Sequence, residues 1–274
     1  MDSFSPEIVL WWVAMSILGV LNVGMWIYFR KKLSLTKEHE KIDPLAQYRF
    51  TQWVLAGFYT VGCASRSIII RSDVKRLSMF DAWVTNVMVG RTIATIAEVC
   101  FVVQWALLLN LAAQKVSSTR VRFISLVLVP GILLAEVASW YSVLTKNRLG
   151  NIIEESIWAG SAMLFLIGLK LSLHGFGKTD QKVVKFGMAA LVAYIVFMLT
   201  IDIPNYISLW QKAEQNNQKY LTISQGLQDI QTYIVTGDLN DWQYEIVWMS
   251  LYFSLAVWMS LAMIFWPKFD KNTS

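Results

Sequence analysis

Charge is what this sequence has least of. Only 16% of its 274 residues are charged, against about a quarter in average soluble domains, and 55% are hydrophobic. So few ionisable groups cannot cover a water-facing surface, so the deficit falls in segments that never meet water. A soluble enzyme, a nucleic-acid-binding domain and a disordered tail are thereby excluded. Cysteine is nearly absent too: Cys63 and Cys100 sit in separate apolar runs and form no CxxC pair. They read as small buried hydrophobes, which excludes a disulfide-stapled module. Histidine is equally rare, with His39 and His174 both beside charged connecting segments. Two such residues cannot supply a bis-His haem, the iron centres of membrane desaturases or the zinc site of seven-span lipid hydrolases. No Walker motif, Gly-rich dinucleotide loop, GxSxG elbow or HExxH occurs.

What is present is a series of apolar runs at about 8–28, 53–72, 87–111, 121–144, 152–173, 184–204 and 246–266. Each approaches the roughly 20 residues that cross a hydrocarbon core of about 30 Å. The expected fold class is therefore an all-α integral membrane protein, a bundle of seven transmembrane helices forming one domain over residues 1–274. The N-terminus carries acids and no basic residue before its first run, and Arg30, Lys31 and Lys32 follow that run. This is the reverse of a secretory signal, so the first run reads as a retained span with its N-terminus outside.

Counting Lys and Arg tests that orientation. With the N-terminus outside, the inner segments hold 15 (Arg30, Lys31, Lys32, Lys37, Lys41, Arg49, Lys115, Arg120, Arg122, Lys170, Lys178, Lys182, Lys185, Lys268 and Lys271). The outer segments hold 7 (Arg71, Lys75, Arg76, Lys146, Arg148, Lys212 and Lys219), and Arg66 and Arg91 lie inside spans. The bias follows the positive-inside rule and puts the C-terminus in the cytoplasm. It also accounts for the net charge of +5 without a nucleic-acid partner. A plasma or bacterial inner membrane suits the chain better than an organelle, and assembly into an oligomer is left open. The long outer loop, 205–245, carries a helix-like stripe of Ile223, Leu227, Ile230 and Ile234, which reads as a surface helix or a lid. The odd span count and the lack of an internal repeat argue against a simple inverted-repeat transporter.

Ionisable groups inside spans cost about 2.5–3.5 kcal/mol at mid-helix and usually face the bundle interior. Glu98 lies near the middle of the third run, with Arg91 seven residues outward on the same helical face. Their backbones are about 10 Å apart, so a shared partner is expected rather than a direct pair. Glu136 follows the Pro130-Gly131 kink by one turn, Arg66 sits in the outer half of the second run, and Asp202 precedes Pro204. Arg66 is expected to pair with Asp202 or Glu136. Glu154, Glu155 and Glu245 mark the outer entrances of two spans, where helix capping competes with a site role. Arg71, Lys75 and Arg76 read as headgroup contacts.

On this reading every such charge falls in the outer half, which suggests a polar cavity open outward with Glu98 at its floor. Trp158 follows Glu154 by four residues, and Trp248 and Tyr252 follow Glu245 by three and seven. Acids beside rings suit a cationic or zwitterionic ligand. Trp105, Trp140, Tyr141 and Tyr206 flank the same set, while Trp11, Trp12, Trp26, Trp53, Trp83, Trp242 and Trp266 read as interface belts.

The expected binding residues are Glu98, Arg91, Glu136, Arg66, Asp202, Glu245, Trp158 and Trp248, and no metal site or cofactor is assigned. The leading function is binding or transport of a small charged ligand or lipid headgroup. One alternative is a membrane-embedded enzyme acting on lipids through a carboxylate or carboxylate–metal site holding Ca²⁺, Mg²⁺ or Mn²⁺. Another is a non-catalytic subunit of a membrane complex. The last span holds no Lys, which excludes an opsin.

Overall fold

The computed structural model describes residues 4–39 and 45–267. Of the inner basic residues counted above, Lys41, Lys268 and Lys271 lie outside the described residues. The chain is almost entirely helical: α1 Pro6–His39, α2 Ala46–Ile68, α3 Val87–Lys115, α4 Thr119–Thr145, α5 Leu149–Ser172, α6 Lys178–Phe197, α7 Ile203–Gln215, α8 Ile223–Asp229, α9 Leu239–Leu251 and α10 Val257–Met263. One π-helical turn, Met198–Asp202, joins α6 to α7, and another, Tyr252–Ala256, joins α9 to α10. Among the described residues six helices are long and apolar enough to cross a membrane: α1, α3, α4, α5, the continuous α6–α7 and the continuous α9–α10.

Several boundaries differ from the sequence expectation, for local physical reasons. Helix α2 begins at Ala46 and stops at Ile68, so residues 69–72 leave the helix and Arg71–Ser72 forms a strand. Gln47, Arg49, Gln52 and Arg66 make α2 less apolar than the others. Pro204 does not end the sixth run. The helix runs on to Gln215, with the π turn just before the proline relieving its steric demand. The expected long loop is thus half helix. Of its apolar stripe, Ile230 is buried, while Ile223 and Leu227 are exposed on α8 and Ile234 lies in a strand.

The chain divides into two compact units. The first comprises residues up to Phe101 together with Ile230–Phe265, and the division falls inside α3. In this unit α2 runs antiparallel to α1. The Trp12 indole donates to Ile68 O (2.9 Å), Trp26 to Trp53 O (2.9 Å) and Trp53 to Trp26 O (3.1 Å). The Arg30 guanidinium lies 5.2 Å from the Trp53 ring. From Trp12 to Arg30 the two helices keep company for about 27 Å. Gly57 permits this approach, since a Cβ there would stand 2.5 Å from the Trp26 ring.

The end of the chain, by contrast, runs parallel to α1. Trp11 donates to Ser250 Oγ (3.0 Å), Asn22 to Phe253 O (3.1 Å) and Trp258 to Asn22 Oδ1 (3.0 Å), while Phe29 meets Phe265 edge-on. The first part of α3 returns antiparallel to α2, with Phe101 stacked on Tyr59 at 4.4 Å.

A small sheet closes the end of this unit that carries the N-terminus. β1 (Arg71–Ser72) pairs antiparallel with β2 (Leu77–Ser78), which pairs parallel with β3 (Ile234–Val235). Arg76 makes the turn between β1 and β2 with a positive φ of 54°. Ser5 ties the N-terminus to the same end through Gly237 O, 3.0 Å from its backbone N.

Of the described residues, the second unit comprises Val102–Asp229 with Trp266 and Pro267. Its centre is the α4–α5 antiparallel hairpin, in which the Ser142 hydroxyl donates to Asn151 Oδ1. Helix α8 packs on the end of α4: Leu221 N donates to Thr145 O (3.0 Å) and Lys146 pairs with Asp229 at 2.7 Å. Trp105 stacks on Phe165 at 4.6 Å and meets Trp158 edge-on.

Candidate functional site

Helix starts decide which carboxylates are free for a site. Asp238 caps α9, its side chain accepting from Asn240 N at 2.9 Å. Glu245 therefore lies beyond the first turn, buried, and does not cap the helix. In α5 the first turn opens at Leu149, whose N–H is taken by Asn147 Oδ1 at 3.0 Å. Glu154 and Glu155 fall a turn too late to cap, and the capping reading is overturned for all three.

Glu245 is held from three sides. Ser72 Oγ donates to its Oε1 at 2.9 Å, the Trp248 indole donates to its Oε2 at 2.7 Å, and Lys75 Nζ stands 3.7 Å from Oε1. The spacing of three places Trp248 and Glu245 on one face of α9. The next residue, Asp73, opens the turn after β1 and lies between two guanidiniums, 3.5 Å from Arg66 Nη2 and 3.4 Å from Arg71 Nε. Arg66 pairs with this loop aspartate, so the expected pairing with Asp202 or Glu136 gives way to Asp73. Arg66 also lies 5.8 Å from the Trp248 ring and 5.9 Å from Phe253. Arg71 Nη1 donates to Val84 O at 2.9 Å, and the guanidinium passes over Gly90, where a Cβ would stand 2.0 Å from Nε. No other residue type fits at position 90 without moving Arg71.

The site charges are deeply enclosed: Arg71 is 2% exposed, Glu245 4%, and Arg66 and Asp73 6% each. Burial brings the Arg71 guanidinium down to about 10, with Asp73 working against that shift. Arg71 and Arg76 are packed inside the unit, which replaces their reading as headgroup contacts. Lys75 is the exposed member and donates to Asp241 O at 3.1 Å.

A second polar layer lies along the same helices. Tyr59 stands seven residues before Arg66 on α2, Glu98 seven after Arg91 on α3, and Tyr252 four after Trp248. Arg91 Nη2 and Glu98 Oε2 meet directly at 3.6 Å, correcting the expectation of a shared partner. Long side chains reaching toward each other close the gap that the backbone spacing opens. The Tyr59 and Tyr252 rings meet at 6.0 Å.

The eight expected binding residues thus divide. Arg66, Arg91, Glu98, Glu245 and Trp248 belong to the first unit; Glu136, Asp202 and Trp158 belong to the second. In the second unit Glu136 and Glu154 are buried, and a carboxylate oxygen of one lies within 4.8 Å of one from the other. Asn151 Nδ2 donates to Glu154 Oε2 at 3.3 Å. Asp202 is buried in the π turn, and Trp158 packs against Trp105.

Sequence reasoning missed Ser72, Asp73, Tyr59 and Gly90. The run Arg71-Ser72-Asp73-Val74-Lys75-Arg76 did alternate basic residues with an acid and a hydroxyl, the one signal that a folded polar loop lay there. Compared with known proteins, the chain matches no protein-family model, no curated protein and no solved structure.

Proposed function

We propose that this multi-pass membrane protein has seven spans, N-terminus outside and C-terminus cytoplasmic, and that its first unit binds or transports a small charged ligand or lipid headgroup from the outer side. Two packing relations support seven spans over six. Helix α2 follows α1 antiparallel for most of a bilayer's depth. The last helix runs parallel to the first, which requires an odd number of crossings. The observation that carries the binding reading is the enclosed polar column: Arg66, Arg71, Asp73 and Glu245 above, Arg91 and Glu98 below. Enclosed charges of this kind cost stability, and proteins keep them chiefly where a ligand or ion is handled.

The test is native mass spectrometry of the full chain in maltoside micelles, offered phosphatidylethanolamine, phosphatidylglycerol and choline as probes. One probe should be retained at a single equivalent, and Arg66→Gln or Glu98→Gln in a folded protein should weaken retention at least tenfold. Retention of none, or retention unchanged in both variants, refutes the reading.

A second reading is favoured by one observation in the second unit. The buried Glu136–Glu154 pair has the closeness that carboxylate acid–base chemistry or a hard cation uses. It calls for a lipid-modifying enzyme, and elemental analysis for Ca, Mg and Mn in purified protein separates it from the first.

A further inference from the structure

We propose that Arg66 and Arg71 form a binding site for a phosphate group, at which Asp73 is the resident stand-in. This rests on the reading of the first unit as a ligand-binding unit and names the chemistry its ligand carries. Two guanidiniums converge on a single carboxylate, so the buried triad holds one positive charge more than it neutralises. The contacts, 3.4 and 3.5 Å, are long beside the roughly 2.7–2.9 Å of a close charge-assisted hydrogen bond.

Neither oxygen of Asp73 has a hydrogen-bond donor, and Nε of both Arg66 and Arg71 lacks an acceptor, although all three side chains are more than nine-tenths buried. Buried polar atoms of native proteins are almost always satisfied, so four at one point mark a place built for something else. Asp73 brings one charge to two guanidinium forks and here closes tightly on neither. A tetrahedral phosphate has the extra oxygens and the extra charge to close on both, and guanidinium is the side chain best matched to it.

Two further features fit. Arg71 is fixed from behind by Val84 O and by the bare backbone of Gly90, so it stays in place when Asp73 leaves. Asp73 itself sits in the β1–β2 turn next but one to exposed Lys75, so on this proposal the turn's outer side is the way by which it gives up its place. Glu245 is already engaged by Ser72, Trp248 and Lys75 and does not compete for the two arginines.

The test uses the full chain in phosphate-free maltoside micelles, with unfolding followed by tryptophan fluorescence and with glycerol 1-phosphate and phosphatidic acid as probes. Asp73→Asn should lower the unfolding midpoint, phosphate probe should restore it, and the variant should bind the probe at least tenfold more tightly than the wild type. Restoration by both probes identifies the phosphate group as sufficient; restoration by phosphatidic acid alone identifies a lipid headgroup. Restoration by neither, or equal restoration in Asp73→Asn/Arg71→Gln, overturns the proposal.

If Asp73→Asn does not fold, Arg71→Gln leaves Arg66 and Asp73 a matched pair. It should then abolish the protection that phosphatidic acid gives the wild type, and wild-type protein without such protection also overturns the proposal. Choline retention that depends on Glu98, alongside an Asp73→Asn variant indifferent to phosphate, would sink this proposal and leave the broader reading standing.

Discussion

Arg91 and Glu98, two helical turns apart on α3, meet at 3.6 Å with side chains only 9% and 12% exposed. A pair at that burial is a poor source of stability relative to an apolar filling, yet breaking it is costly because the remaining charge keeps its desolvation penalty. Arg91→Gln and Glu98→Gln should each destabilise the protein by about 3–5 kcal/mol, and the double variant by clearly less than their sum. Urea titration in micelles measures the coupling, and strict additivity would show that the two side chains act independently.

Glu245 offers a second measurement. Ser72→Ala removes one hydroxyl donor to a buried carboxylate and should cost about 1.5–3 kcal/mol, as should Trp248→Phe, which removes the indole donor. If both variants unfold with the wild type, the network around Glu245 does not hold the α9 end to the hairpin.

Close packing between the first two helices gives a prediction free of charge effects. Gly57→Ala forces a methyl group into the Trp26 ring and should destabilise by about 1–3 kcal/mol. Shortening Trp26 to Leu in the same chain should recover part of the loss, which thermal unfolding of the wild type and the two variants would show.

Orientation and span number can be read by labelling in cells with a membrane-impermeant maleimide, after Cys63 and Cys100 are changed to Ser. Trp83→Cys and Asn216→Cys should label from outside, and Ser117→Cys only after permeabilisation. The opposite pattern reverses the orientation. Labelling of Trp83→Cys and Ser117→Cys from the same side removes α3 as a crossing.

The apolar runs made the bilayer and most of the helices legible, because burial in hydrocarbon needs only composition and length. They misplaced ends wherever a local feature overrode composition. The sixth apolar run ends at residue 204, yet the helix continues to Gln215 because a preceding π turn absorbs Pro204. Glu154 and Glu245 stand near apolar run starts, which leaves capping and a site role both open in the sequence, whereas Asn147 and Asp238 take the N–H groups there. Arg66 and Glu98 were legible as buried charges. Their partners were only half so: Asp73 reaches Arg66 out of a loop that has no periodicity, and an Arg–Glu spacing of seven says nothing about how far two flexible side chains stretch. Gly90 was invisible for a simpler reason, since its role depends on an arginine in a distant strand.

The parallel seating of the last helix against α1 has a consequence for biosynthesis. The ribosome delivers α1 well before its neighbour α9–α10, so Asn22 waits for Phe253 and Trp258 while the 231 and 236 residues that separate them are made. The first unit cannot close before α9–α10 enters the membrane. Until then its half-assembled polar face stands open to lipid, a natural client for an insertion factor. Chains that stop short of Trp258 should be the ones that quality control removes.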